Sequence, residues 1–93
     1  MKFDRIDKKL ADIGFTKIKD DIYGLRYQRL TDRFTQVVDI VKKDRVPNIL
    51  QSFDPSLFDE KLIGNTCVGL TLYEMQLFCK KFKKFNRMYR KEH

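Results

Sequence analysis

The 93-residue chain has few of the residues that most catalytic and metal sites require. Its one histidine is His93, at the end of the chain, where residues are usually poorly ordered, so we expect no catalytic Ser–His–Asp or Cys–His arrangement. Cys67 and Cys79 are the two cysteines, and with a single histidine they fall short of the ligand set of a structural zinc site. The four glycines are dispersed and form no phosphate-binding loop. We therefore expect no cofactor and no bound metal.

Long apolar runs and flexible linkers are also missing. No segment approaches the roughly 18 consecutive apolar residues of a bilayer-spanning helix, and the charged N-terminal segment lacks the pattern of a signal peptide. Four glycines and two prolines leave little material for long linkers. These absences predict a single domain over residues 1–93, located in the cytoplasm, with reduced thiols and no membrane contact.

Carboxylates offer the one remaining route to catalysis. Asp59-Glu60-Lys61 contains the D-x-K spacing of some metal-dependent nucleases, and Asp54 is nearby. Three-residue matches of this kind arise often by chance, and this one lies in a predicted loop. We interpret residues 54–61 as a solvated loop and expect that the protein is not an enzyme.

Two segments have the apolar spacing of amphipathic helices. The first should end at Gly14 in a left-handed cap, with Phe15 closing a Schellman contact on Leu10. The second should run from about 72 to 88, after a capping box formed by Thr71 and Glu74. The apolar stripes are Phe3, Ile6, Leu10 and Ile13 in the first segment and Met75, Phe78, Cys79, Phe82, Phe85 and Tyr89 in the second.

Between the two helices the apolar period changes to two, which is typical of half-buried strands. Because short connections join antiparallel neighbours, the strands should form a meander. Within residues 54–70, Leu62-Ile63 and Cys67-Val68 are compatible with a short fifth strand, and a partly ordered loop fits equally well. The four main strands are predicted near 15–19, 22–30, 34–42 and 47–53.

These elements predict an α+β fold with an N-terminal helix, an antiparallel sheet of four or five strands, and a C-terminal helix. Both helices should lie on one face of the sheet. The four tyrosines are expected to pack at the margins of the core rather than to stack on nucleic-acid bases. The predicted core contains Phe3, Ile6, Leu10, Ile13, Leu25, Val38, Ile40, Met75, Phe78 and Phe82.

Positive charge is concentrated at the C-terminus. Of a formal net charge of +7, the last fifteen positions contribute +6, from seven Lys or Arg and one Glu. Such a helix is most often only a solvated surface, but it also suits nucleic-acid phosphates, or an acidic protein. Arg26, Arg29 and Arg33 are candidates to extend the basic surface. The candidate contact residues are Lys80, Lys81, Lys83, Lys84, Arg87, Arg90 and Lys91.

The predicted function is therefore binding without catalysis, by a small accessory or regulatory protein. One hypothesis is nucleic-acid binding through the basic helix. The alternative is a protein-interaction module, an inhibitor, adaptor or homodimer, that uses the open sheet face or an edge strand. Salt-dependent affinity would favour the first hypothesis, and a large exposed apolar patch the second.

Three stretches resemble segments of small uncharacterised proteins from Firmicute phages, prophages and related mobile elements. The resemblance covers most of the chain in the right order, although its motifs are caps and strand residues. It implies a bacterial cytosolic setting and an accessory role in a mobile element, and it carries no catalytic residues. The stretches are Gly14-Phe15-x-Lys17 leading into Tyr23-Gly24-x-x-Tyr27, then Leu50-Gln51-Ser52-Phe53, then Val68-Gly69-Leu70-Thr71-x-x-Glu74.

Overall fold

Two helices and a four-stranded sheet make up the computed structural model, which describes residues 4–42, 48–55 and 67–90, with side chains to residue 87. The strands lie in the sheet in the order of the sequence, and each neighbouring pair is antiparallel. The predicted α+β meander is confirmed. The elements are α1 (Arg5–Asp12), β1 (Thr16–Asp21), β2 (Gly24–Leu30), β3 (Thr35–Val41), β4 (Ile49–Phe53) and α2 (Leu72–Arg90).

Local sequence determines both ends of α1. The Asp4 carboxylate accepts a hydrogen bond from the Asp7 amide (2.8 Å), and the Asp7 carboxylate accepts one from the Asp4 amide (3.3 Å). This is a capping box that satisfies two free donors of the first turn. At the other end Gly14 has φ of +98°, and the Phe15 amide donates to the Leu10 carbonyl at 2.9 Å. The predicted Schellman cap is confirmed, whereas the capping box at Asp4 was not predicted.

The start of α2 also follows the prediction. The Thr71 amide donates to the Glu74 carboxylate at 2.8 Å, and the Glu74 amide donates to the Thr71 hydroxyl at 3.1 Å. These reciprocal bonds satisfy donors that the first helical turn leaves free. The helix extends to Arg90, slightly further than the spacing predicted.

The core lies between the helices and one face of the sheet. The Phe78 ring of α2 meets the rings of Phe15 and Tyr27 edge to face, with centroids 5.1 and 5.3 Å apart. Both helices therefore cover the same sheet face, as predicted. Ile6, Ile13 and Phe82 are only partly buried at its margin. The fully buried members are Leu10, Phe15, Leu25, Tyr27, Val38, Ile40, Leu77, Phe78 and Phe85.

Two residues of the predicted apolar stripe on α2 are not in the core. Met75 is 41% exposed and Cys79 is also exposed, so their predicted burial is wrong. The buried face is rotated around the helix by about one residue, or roughly 100°, from the predicted stripe. Glu74 and Lys81 are therefore buried against the other elements in place of Met75 and Cys79. Phe3, also predicted in the core, lies outside the described residues.

A β-bulge in β1 changes which residues face the helices. Lys17 is opposite Tyr27 and Lys19 is opposite Arg26, so Ile18 is the extra residue between two paired positions. Simple alternation would place residues 17 and 20 on opposite faces of the sheet. With the bulge, Asp20 comes within hydrogen-bond distance of Lys17, which is itself buried beneath α1.

The predicted fifth strand is reduced to a single bridge where it is described. Phe53 pairs with Cys67, and the Val68 amide donates to the Ser52 carbonyl at 2.9 Å. Leu62-Ile63 and the D-x-K match at residues 59–61 lie outside the described residues. Asp54 is only 1% exposed, so the interpretation of 54–61 as a solvated loop is wrong at its first residue.

Candidate nucleic-acid interface

The cations of α2 divide into one buried lysine and an exposed group. Lys81 is 6% exposed, because it shares the inner side of the helix with Glu74, Phe78 and Phe85. Its Nζ donates to the carboxylates of Asp4 at 2.9 Å and Asp7 at 3.0 Å. The prediction that Lys81 belongs to a solvated cationic surface is therefore wrong. In the fold, it joins α2 to α1.

Lys81 belongs to a buried cluster centred on the Asp7 carboxylate. The Tyr27 hydroxyl donates to Asp7 Oδ1 at 2.5 Å, and Lys17 Nζ donates to Asp7 Oδ2 at 3.0 Å. Lys17 also donates to Asp20 at 2.9 Å. Asp7, Lys17 and Tyr27 are at most 3% exposed. We call this set, Asp4, Asp7, Lys17, Asp20, Tyr27 and Lys81, the Asp7 cluster.

Hydrogen bonding determines the ionisation state of the Asp7 cluster. Burial alone would raise the pKa of Asp7, but the bonds from Tyr27, Lys17 and Lys81 outweigh it and hold that pKa below its ordinary value. Burial and the neighbouring Asp7 carboxylate both raise the pKa of the Tyr27 hydroxyl. The pKa of Lys17 is raised, since bonds to Asp20 and Asp7 outweigh its burial. Asp7 and Lys17 are thus ionised, and Tyr27 is neutral, near neutral pH.

Arg29 forms a second polar connection between the sheet and the helices. Its guanidinium donates to Glu74 at 2.7 Å, to Gln36 at 2.7 Å and to the Ile13 carbonyl at 3.2 Å. The same group lies 4.2 Å from the ring centroid of Phe15, in cation–π geometry. Arg29 therefore holds the sheet and the helices together. The prediction that it extends the basic surface is wrong.

The other two arginines that were predicted to extend the basic surface lie on β2 and in the connection between β2 and β3. Arg26 forms a bidentate ion pair with Asp39, at 2.6 and 2.9 Å, on the sheet face that the helices leave uncovered. Arg33 is exposed in the connection between β2 and β3. The alternative prediction, that this open face or an edge strand binds a partner protein, stays a prediction.

The exposed cations of α2 form a ridge along one side of the helix. Lys80, Lys84 and Arg87 are all exposed, and their spacings of four and three place them along one side of the helix over about 10 Å. Lys83 is exposed beside them. Among the described residues, Lys80, Lys83 and Arg87 form no ion pair, and Lys84 lies 4.0 Å from Asp4. We call Lys80, Lys84 and Arg87 the cationic ridge.

Several acidic side chains of the described residues pair with cations outside the ridge, although Asp4 also lies 4.0 Å from Lys84. Asp4 and Asp7 bind Lys81, Asp39 binds Arg26, and Glu74 binds Arg29. Each of these carboxylates lies at the helix–helix or helix–sheet contact or on the open sheet face. The side chain of Arg90 and all of Lys91 lie outside what the structure describes.

Comparison with protein-family models, with curated proteins and with solved structures found no significant match to this chain.

Residues 4–42, 48–55 and 67–90 contain neither a metal-binding cluster nor a membrane-spanning helix. No group of three or more His, Cys, Asp or Glu side chains there is placed to hold a metal ion. Neither helix, over the residues described, is long and apolar enough to span a bilayer.

Proposed function

We propose that the protein is a non-catalytic module that binds nucleic acid through phosphate contacts made by the cationic ridge. The observation that carries the proposal is the segregation of charge: Asp4, Asp7 and Glu74 make their short ion pairs with Lys81 and Arg29. Among the described residues Lys80 and Arg87 have no ion-pair partner, and Lys84 has only the 4.0 Å contact with Asp4. Cations that need not exchange an intramolecular partner can neutralise phosphates directly.

The geometry supports contact without base specificity. Three cations along about 10 Å of a helix can follow a phosphate backbone, and each contact releases condensed counterions. Three contacts give a slope of log affinity against log salt of about −2.7 on duplex DNA, or roughly a 40-fold loss between 50 and 200 mM salt. Arg5, Lys8 and Lys9 of the neighbouring α1 are also exposed and can add further contacts.

Tyr73 extends the proposal to single-stranded nucleic acid. Its side chain is 53% exposed, and it lies two helical turns before Lys80, so it is on nearly the same side of α2. An exposed aromatic ring next to cations is typical of surfaces on which bases stack. Tyr73 and Tyr23, which is 67% exposed, thus depart from the prediction that the tyrosines pack at the core margin.

The biological setting is part of the same proposal. The resemblance to phage and mobile-element proteins supports an accessory role in a bacterial cytoplasm, where nucleic acid is abundant. An oligomeric form is not required, because the cationic ridge lies on one chain.

Fluorescence anisotropy with labelled duplex DNA, single-stranded DNA and RNA, at about 50 and 200 mM salt, tests the proposal. The informative variant is K80E/R87E, and its matched control is R33E/K42E, which changes two cations away from α2. Each lowers the net charge by four, from +7 to +3. We expect binding that weakens strongly with salt, is lost in K80E/R87E and is largely retained in the control.

Two outcomes would contradict the proposal. Equal losses in both double variants would show that net charge, and not the ridge, attracts the nucleic acid. Flat titrations of the unaltered protein at both salts would exclude nucleic acid and favour an acidic protein as the partner of the ridge.

A further inference from the structure

A second surface of α2 is apolar and exposed. Leu72 is 79% and Met75 41% exposed, Cys79 is exposed, and Phe82 is only partly buried. Their spacings of three, four and three are those of the a and d positions of a coiled-coil heptad. This stripe, which we call the heptad stripe, lies between the cationic ridge and β4.

The heptad stripe forms one wall of a groove. A hollow of about 300 Å³ lies between α2 and the sheet. Ile40 of β3 and Ile49 and Leu50 of β4 line it on one side, and Phe78 and Phe82 of α2 line it on the other. A second, shallower hollow of about 510 Å³ lies on the surface of α2 itself, along Leu72 and Met75, and the two hollows share Cys79 and Lys83. From Leu72 to Phe82 the helix rises about 15 Å, which matches roughly three turns of a second helix.

The charges at the rim indicate what the groove accepts. Lys80 and Lys83 border it, and none of the described residues lining it is acidic. A second copy of α2 laid in the groove would bring lysines against lysines, which opposes self-association. A helix with acidic residues flanking an apolar stripe would instead pair its carboxylates with Lys80 and Lys83.

We propose that this groove docks an acidic amphipathic helix from a partner protein. The apolar stripe of that helix packs against Leu72, Met75 and Cys79, and its acidic flank lies beside Lys83. The inference does not depend on nucleic-acid binding, because its main contacts are apolar and lie on a different side of α2 from Arg87.

A designed peptide tests the docking site directly. The probe is a labelled helix of about four turns with Leu at its a and d positions and Glu at the flanking positions. We expect saturable binding to the full chain that weakens at least tenfold in L72Q/M75Q. The control I22Q/L30Q removes apolar side chains of similar exposure, 44% and 74%, from elsewhere and should bind normally. Equal affinity of the two variants would overturn the proposal.

Two altered peptides separate the apolar and the charged contributions. Replacing Leu by Ser should abolish binding, and replacing Glu by Lys should weaken it at least tenfold at low salt. If the Ser peptide binds as well as the original, the attraction is only electrostatic and no docking site exists. If the Lys peptide binds as well, the partner is not acidic.

Thiol alkylation gives an independent readout. Cys79 lies in the groove and Cys67 beside the end of β4, and both are exposed. The peptide should slow alkylation of Cys79 and leave that of Cys67 unchanged; equal protection, or none, would overturn the proposal. Sedimentation of the protein alone should show a monomer, whereas self-association abolished by L72Q/M75Q would assign the groove to a second copy.

The docking site and the proposed nucleic-acid function can fail separately. R87E, on the ridge and away from the groove, should weaken nucleic-acid binding without changing peptide affinity. L72Q/M75Q should have the opposite pattern. If R87E weakens both by the same factor, the peptide binds the ridge, and the docking proposal is wrong.

Discussion

Lys80 and Lys81 are adjacent in the sequence, yet they belong to two regions with different physics. Lys81 is 6% exposed and is hydrogen-bonded to two carboxylates of α1. Lys80 is exposed, and within the part of the chain that the structure describes it has no ion-pair partner. A rotation of about 100° around the helix separates the two side chains. A basic run is therefore not one functional unit, because its helical phase divides it into structural and available charges.

The comparison also shows how the two regions depend on each other. The Asp7 cluster fixes α2 against α1 and takes up the nearby carboxylates. As a result, the cationic ridge is held on a rigid helix with little competition from acidic side chains. Removing the buried ion pairs should cost stability, while removing the exposed cations should cost binding.

Breaking the centre of the buried region should have the largest effect. Asp7→Ala removes the acceptor of Tyr27, Lys17 and Lys81, and leaves their polar groups buried with fewer partners. We expect the free energy of unfolding to fall by about 3 to 5 kcal/mol. Urea denaturation measures it, with the exposed Asp12→Ala on the same helix as control. A loss for Asp7→Ala no larger than that for Asp12→Ala would mean that the Asp7 cluster does not stabilise the fold.

The two adjacent lysines provide a closely matched test. Lys81→Met keeps the apolar stem but leaves Asp4 and Asp7 without one cation, so we expect a loss of about 1 to 3 kcal/mol in unfolding free energy. Lys80→Met, one position away, should change it by less than about 0.5 kcal/mol. Paired urea titrations compare the two variants. Equal effects would show that the helical phase described here does not decide the role of each charge.

Acidification should destabilise the fold through the buried carboxylates. The pKa values of Asp4, Asp7 and Glu74 are lowered in the folded protein despite their burial, so the unfolded chain takes up protons first as pH falls. Their stabilisation is present above the ordinary carboxyl pKa of about 4 and is lost as pH falls through the lowered values. Asp7→Asn should flatten the fall in stability below about pH 4, measured by denaturation at several pH values. An unchanged slope would argue against an ionised, bonded Asp7.

Neutralising the exposed region should have the smallest effect on stability and a clear one on binding. K80Q/R87Q removes two ridge cations, and the unfolding free energy should change by less than about 0.5 kcal/mol. The slope of log affinity against log salt for duplex DNA should fall by about two. Parallel denaturation and anisotropy experiments measure both quantities. Large destabilisation would mean that the ridge, like Lys81, belongs to the structure.

Much of the fold was predictable because its determinants are local. The Thr71–Glu74 capping box, the Gly14 cap and the short connections between strands each depend on residues within a few positions. The burial of Lys81 was not predictable in this way, because its partner Asp4 is 77 residues distant in sequence. The same holds for Arg29, whose partner Glu74 is 45 residues away.

The candidate surfaces show the same limit. Helical spacing alone does not decide which side of α2 is buried, because apolar residues occur at positions 75, 78, 79 and 82. Tertiary packing buries Phe78 and leaves Met75 exposed. The bulge at Ile18, which brings Asp20 next to Lys17, leaves no signal in the alternation of apolar residues. Helical periodicity does place Lys80, Lys84 and Arg87, three of the predicted contact residues, along one exposed side, whereas the fourth in that series, Lys91, lies outside the described residues.

The strand order has a consequence for the time course of folding. Every strand pairing joins neighbours in the sequence, whereas the contact between Lys81 and Asp4 closes a loop of 77 residues. Because distant contacts form at a larger entropic cost, we expect the hairpins to assemble first and α2 to dock against α1 late. Lys81→Met should then accelerate unfolding while leaving the refolding rate nearly unchanged. The lifetime of the native state would then depend on the ion pairs of Lys81 with Asp4 and Asp7 between the two helices, more than on the pairing of the strands.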